Sequence, residues 1–321
     1  MKKFKKSAVV IPALARIAVT AAASVSGTVA WFTAAKTVTA TAGQFKASYN
    51  DGNLSVKATS WMATTNKLGS PTLNQTILSI PTEGKDVTVT EGVTFTDASY
   101  DLATDTLYSD KVKDDGSAPD QFESKGTSVE DNNQWVSDPA NKVVYGVVWN
   151  YTFTYKFGAD IANKYDLMFS PSKSSLTTRT DAGAGLRIAL VGNGFDNGTN
   201  KNAVVFANEK YDTSATNHIS GVGDNKDTTD VKETTTTDYS SLYIASGSAD
   251  EALGTEAVSH KDKKGYLGTF VPTTANTDVQ MSVHVVAWFE GTDSHVVSTQ
   301  TLSAVSAQLG FKVVKAEAKN S

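Results

Sequence analysis

Val143-Val144-Tyr145-Gly146-Val147-Val148-Trp149-Asn150-Tyr151-Thr152-Phe153-Thr154-Tyr155-Lys156-Phe157 alternates with a period of two rather than 3.6. Val143, Tyr145, Val147, Trp149, Tyr151, Phe153 and Tyr155 make one bulky face. On the other face Val148 is the only large apolar residue between Val144 and the end of the run. A strand with one greasy and one polar side fits a sheet that is buried on one face and wet on the other. Its length marks it as central.

Working outward, 186–191 and 203–206 are short apolar strands separated by a turn-rich stretch, 192–198. The run 279–290 places Val279, Met281, Val283, Val285, Ala287 and Phe289 on one face and Ser282, His284, Val286 and Trp288 on the other, so cover on both sides is expected. A last strand is read at 309–314. Toward the N-terminus, Phe45-Lys46-Ala47-Ser48-Tyr49 and Leu54-Ser55-Val56-Lys57-Ala58 flank Asn50-Asp51-Gly52-Asn53, the pattern of a β-hairpin. Val87-Thr88-Val89 and Val93-Thr94-Phe95 flank Glu91-Gly92 in a similar alternation. Only 159–165 and 301–308 read as brief helices. The expected fold is all-β: an antiparallel, jelly-roll-like β-sandwich with an N-terminal signal helix. Two long polar insertions, at about 109–139 and 208–258, are too rich in Asp, Ser, Thr, Asn and Lys to pack.

The N-terminus reads as an export signal. Lys2, Lys3, Lys5 and Lys6 precede an Ala/Val/Ile-rich run, and Thr28-Val29-Ala30 offers a small-x-small cleavage site. Residues 1–30 are therefore expected to be a signal peptide, with 31–321 forming one domain with two insertions. The rival reading is an uncleaved membrane anchor, which Arg16 within the apolar run disfavours. The full chain of 321 residues has a formal charge of −5. Without Lys2, Lys3, Lys5, Lys6 and Arg16, 24 basic residues face 34 acidic ones, a charge of −10 that argues against nucleic acid as a partner. With no cysteine, disulfides, thiolate zinc sites and cysteine nucleophiles are excluded.

Gly27-Thr28-Val29-Ala30-Trp31-Phe32-Thr33, followed by Gly43-Gln44-Phe45-Lys46-Ala47, resembles the N-terminal junction of the TasA/camelysin class of Gram-positive secreted proteins. The resemblance covers residues 27–47. It implies cutting by a dedicated signal peptidase between Ala30 and Trp31, and a mature β-sandwich found in extracellular fibres or at the cell surface. Independently of it, 31–42 carries a single charge, Lys36, no proline, and β-branched residues at Thr33, Thr37, Val38, Thr39 and Thr41. Such a segment favours extended backbone and wants a sheet edge. It is expected to act as an assembly arm, paired in its own domain or donated to a neighbouring subunit, with Trp31 and Phe32 filling an apolar pocket and Val38 in the paired part.

Catalytic patterns are sparse. His218, His260, His284 and His295 have no His partner at a spacing of four, so His-Glu-x-x-His is absent, and no Gly-x-Ser-x-Gly occurs. His284 reads as a packed strand residue, and His218, His260 and His295 as solvated loop residues. Trp288-Phe289-Glu290-Gly291-Thr292-Asp293 holds two carboxylates, with a strand-ending turn as the plainer reading. Calcium is the one cofactor with candidates: Asp224, Asp227 and Asp230, or Asp196 with Asn193 and Asn197, none in an EF-hand pattern. Trp61, Trp135 and Tyr239 are loop aromatics that would suit carbohydrate. The first functional expectation is thus a secreted, non-enzymatic structural or surface protein partnered by itself or by other extracellular matrix proteins. A monomeric adhesin or ligand-binding module comes second, and a hydrolase third.

Overall fold

The computed structural model describes residues 37–40, 43–49, 52–60, 78–79, 84–96, 98–102, 106–110, 122–127, 136–138, 143–159, 161–178, 185–195, 201–208, 240–254, 257–290, 300–302 and 305–318. Among them the regular structure is almost entirely strand: β1 (Thr37–Ala40), β2 (Gly43–Tyr49), β3 (Leu54–Ser60), β4 (Leu78–Ser79), β5 (Val87–Val89), β6 (Val93–Thr96), β7 (Ser99–Asp101), β8 (Thr106–Asp110), β9 (Phe122–Thr127), β10 (Val136–Asp138) and β11 (Val143–Val144). Next come β12 (Gly146–Lys156), β13 (Asn163–Phe169), β14 (Ser175–Thr178), β15 (Leu186–Gly192), β16 (Ala203–Ala207), β17 (Tyr243–Ala245), β18 (Tyr266–Phe270), β19 (Asp278–Phe289), β20 (Gln300–Leu302) and β21 (Val305–Ala318).

A six-stranded sheet runs β17-β16-β15-β19-β12-β3. The alternating 143–157 run supplies β12, an interior strand one in from the β3 edge, which lies between β19 and β3 and is antiparallel to both. Trp149, Tyr151 and Phe153 of β12 are fully buried, while Asn150, Thr152 and Thr154 on the other face are half-buried. β19 is covered on both faces near its end, where Val286 and Trp288 are buried as well as Val285, Ala287 and Phe289. β15 and β16, the two short strands read on either side of 192–198, pair with each other antiparallel.

A seven-stranded sheet, β18-β13-β21-β2-β5-β4 with β14 also on β21, faces the six-stranded one. Rings join the two faces: Phe45 of β2 meets Trp149 at 4.8 Å, Phe311 of β21 meets Phe153 at 4.7 Å, and Phe169 of β13 meets Phe206 of β16 at 5.2 Å. Aromatic pairs at these spacings add to the large apolar area each ring removes from water. A five-stranded sheet, β10-β11-β6-β1-β20, continues the cover, with Phe95 of β6 at 5.2 Å from Phe289. A three-stranded sheet, β7-β8-β9, sets Tyr100 beside Trp288 at 5.3 Å on the opposite face of β19.

Several expectations are corrected. The sheets are mixed rather than antiparallel throughout, because β1 with β20, β2 with β21, β6 with β11, and β16 with β17 pair in parallel. The segments around Asn50-Asp51-Gly52-Asn53 are not a hairpin: β2 pairs with β21 and β5, whereas β3 pairs with β12 in the facing sheet. Phe45 and Ala47 on one side and Leu54, Val56 and Ala58 on the other all point into the same core, so the chain arches between two layers instead of folding back within one. The alternation around Glu91-Gly92 likewise splits between the seven- and five-stranded sheets. Of the two stretches read as brief helices, 159–165 leads into β13 and 301–308 spans β20 and β21.

The polar insertions also contribute strands. The first contains β9 and β10, and the second contains β17, whose Tyr243 and Ile244, with Leu242 before them, are buried. Past β17, Asp250 latches this segment to the seven-stranded sheet. Its carboxylate accepts hydrogen bonds from Ser170 Oγ at 3.0 and 3.1 Å, the Ser172 backbone N–H at 3.0 Å, and Lys312 Nζ at 2.8 Å.

Candidate functional site

A cleft of about 610 Å³ opens where β18 approaches β19 and the β15–β16 connection. Thr152, Asn193, Asn202, Lys261, Gln280 and Ser282 supply polar lining, with Tyr266, Thr269 and Met281. Among the described residues that line it there is no carboxylate. A second hollow of about 400 Å³ shares Lys261 and adds Lys201, Asp262, Lys263 and Lys264. The four lysines are exposed on a chain with 34 acidic against 29 basic residues.

The wall is held from behind by a buried polar network. Asp166 is 1% exposed within β13, beside the apolar Leu167, Met168 and Phe169. Strand register sets Thr269 of β18 opposite it, and the Thr269 hydroxyl donates a short hydrogen bond to Asp166 Oδ1. Because that hydroxyl proton is committed, the Tyr266 hydroxyl, 2.9 Å from Thr269 Oγ1, donates to it. The other carboxylate oxygen, Oδ2, accepts the His260 backbone N–H at 3.0 Å and lies 2.9 Å from His260 Nδ1. Burial pushes the Tyr266 phenol pKa up; the Thr269 bond lowers it in part, and the nearby Asp166 raises it further.

This network fixes the lysine turn. His260 is 1% exposed, and its carbonyl accepts from Lys263 N at 2.9 Å, while Lys263 O accepts from Tyr266 N at 3.1 Å. Glu251 braces the same turn, accepting from the Lys264 backbone N–H at 2.6 Å and pairing with Lys263 Nζ at 3.3 Å. Across the cleft, Asn202 is 5% exposed; its Nδ2 donates to Asn193 O at 2.8 Å and its carbonyl accepts from Gly192 N at 2.8 Å. Its Oδ1 is buried and, among the described residues, has no hydrogen-bond partner. Both walls are pre-positioned by backbone and side-chain bonds rather than by free rotors.

His260, read as a solvated loop residue, is thus a buried strut. Its neighbours in sequence gave no apolar pattern to signal burial; the cue was Asp166, a lone carboxylate in an apolar strand that needed partners. His284 is half-buried in β19, with Nδ1 3.2 Å from Oδ1 of its cross-strand partner Asn150. Glu290 is fully buried and accepts from Trp288 Nε1 at 3.0 Å, so it anchors the end of β19 instead of facing a cleft. Arg187, also fully buried, lies opposite Trp288 in register, its guanidinium 5.7 Å from the Tyr243 ring centre.

Val38 is in β1, paired with Phe95 on one side and Gln300 on the other. Ala30, Trp31 and Phe32 lie outside the described residues, as do Asp196, Asn197, Asp224, Asp227, Asp230, Asp293, His218, His295, Trp61, Trp135 and Tyr239. Among the described residues no three His, Asp or Glu side chains group to hold a metal. The lysines of 261–264 and the amides of Asn202 and Gln280 went unread in the sequence, while Asn193 was read as a calcium candidate with Asp196 and Asn197. The lysine run stands out in an acidic chain, but residues from β12, β16, β18 and β19 meet only through the sheet. No known protein family matches the chain, and neither does any curated protein.

Proposed function

We propose that this is a secreted structural or surface protein, a jelly-roll-like sandwich that self-assembles through its N-terminal strand after a signal peptidase cuts between Ala30 and Trp31. One observation carries the reading: β1 fills a slot between β6 and β20, engaged along both backbone edges. Only residues 41 and 42 separate it from β2, which belongs to a different sheet. A short strand that completes another sheet by itself can leave its slot and be replaced by the same strand of a second copy, since the hydrogen bonds made are the same. The slot left behind exposes unpaired N–H and C=O groups on β6 and β20, which invite a donor. The low charge and β-branched composition of 31–42 favour that exchange.

The test compares chains beginning at Trp31 and at Gly43 by electron microscopy and thermal melting. Filaments from the Trp31 chain alone, with a synthetic 31–42 peptide capping the Gly43 chain and raising its melting temperature, are the expected result. Equal polymerisation, or equal monomeric stability without any peptide effect, would sink the proposal.

A further inference from the structure

We infer that the cleft behind Lys261 is a binding site in its own right and that it takes a segment of an acidic polysaccharide. Its lining is chemically selective. The exposed amides of Asn193 and Gln280 can each donate to and accept from hydroxyl groups, which is how proteins read sugars. Asn202 is held in place on both sides, its Nδ2 donating to Asn193 O and its backbone carbonyl accepting from Gly192 N, so it fixes the cleft wall behind the exposed amides.

The charge around the cleft specifies the rest. Lys261 belongs to both hollows, and Lys201, Lys263 and Lys264 extend the basic rim away from it. Asp262 and Glu251 offset only part of this, and Glu251 is already occupied by Lys263 Nζ and the Lys264 backbone. Lysines spread along a rim and hydroxyl-reading amides inside a groove match a chain that carries both repeated anionic groups and hydroxyls. The anionic group is a carboxylate or a phosphate; both pair with an ammonium. A neutral glycan would make no use of the charge on Lys201, Lys261 and Lys264, and a bare anion would make no use of the amides.

The experiment titrates the chain beginning at Trp31 with three oligomers of similar length: a uronate oligosaccharide, a glycerol-phosphate oligomer and a neutral isomaltose oligomer. Calorimetry is run in low salt and in high salt. Binding of at least one anionic oligomer is expected, weakened about tenfold by Lys261→Ala with Lys264→Ala and by a rise in salt that shortens the screening length below about 5 Å. Gln280→Ala is expected to weaken the anionic oligomer while leaving the melting temperature and the salt dependence of the remaining affinity unchanged. Lys46→Ala, an exposed lysine on β2, serves as the control with wild-type affinity. Whether the uronate or the phosphate oligomer binds better assigns the source of the charge. Binding of the neutral oligomer as tightly as the anionic ones, affinity untouched by the lysine pair, or no binding of either anionic oligomer would overturn the inference. All four lysines are exposed, so melting temperatures within experimental error of wild type separate lost binding from lost folding. Filament formation is independent of this outcome, so either reading can fail alone.

Discussion

Removing Asp166 tests whether the buried network is the frame of the cleft wall. The carboxylate accepts three hydrogen bonds, from His260 N, His260 Nδ1 and Thr269 Oγ1, at 1% exposure. Hydrogen bonds to a charged acceptor contribute about 1.5–3 kcal/mol each, and truncation leaves buried donors without an acceptor. The contributions overlap, so Asp166→Ala is expected to cost about 3–5 kcal/mol, the range seen when one partner of a buried polar pair is removed. His260→Ala keeps its backbone N–H and therefore one of the two bonds to Oδ2; only the ring bond is lost. In a double-mutant cycle the pair should then show a coupling of about 1.5–3 kcal/mol, the strength of that single side-chain bond. Urea denaturation followed by tryptophan fluorescence supplies the four free energies, with unchanged slopes as the check that the denatured state is common to all four. Additivity within about 0.5 kcal/mol would refute the geometry, because contacting groups that share a bond cannot act independently.

The Asp250 latch should respond to acid. Burial raises its carboxyl pKa, but the Lys312 ammonium and the bonds from Ser172 and Ser170 outweigh that and hold it at about 2, below its ordinary 3.8. A depressed folded-state pKa contributes stability above the unfolded value and loses it as pH falls from about 4 toward about 2. The pH dependence of the urea midpoint in that window should be shallower in Asp250→Asn than in wild type, and identical slopes would show that the latch does not form. Gly192→Ala should be severe, since its Cβ would lie 2.0 Å from the Leu267 carbonyl oxygen and 2.9 Å from that of Asn202; both are backbone atoms that cannot step aside. Gly52→Ala meets nothing within 4 Å and should leave the melting temperature unchanged, so similar melting of the two variants would contradict the packing of β15 against β18.

Much of the strand content was legible without coordinates, because alternation is a local property. Trp149, Tyr151 and Phe153 announced a half-buried strand, and the two apolar faces of 279–290 announced one covered on both sides; β12 and β19 follow that reading. Which strands would pair was not local. Phe45 and Leu54 have the same alternation whether their strands fold back on each other or arch across a core, and only the competing partners decide: β21 and β5 for β2, and β12 for β3. The parallel pairing of β2 with β21 joins residues more than 250 positions apart, beyond the reach of any turn signal. Burial of polar residues was equally hidden. His260 sits among Lys261, Asp262, Lys263 and Lys264, a thoroughly polar neighbourhood, and it is buried because Asp166 in a distant strand needs donors. The sequence by itself determined that the chain would build sheets and would bear a local excess of lysine on an acidic body. The tertiary structure alone decided that those lysines stand beside the amides of Asn193, Asn202 and Gln280, since a cleft is made by strands brought together from across the chain and no single segment encodes it.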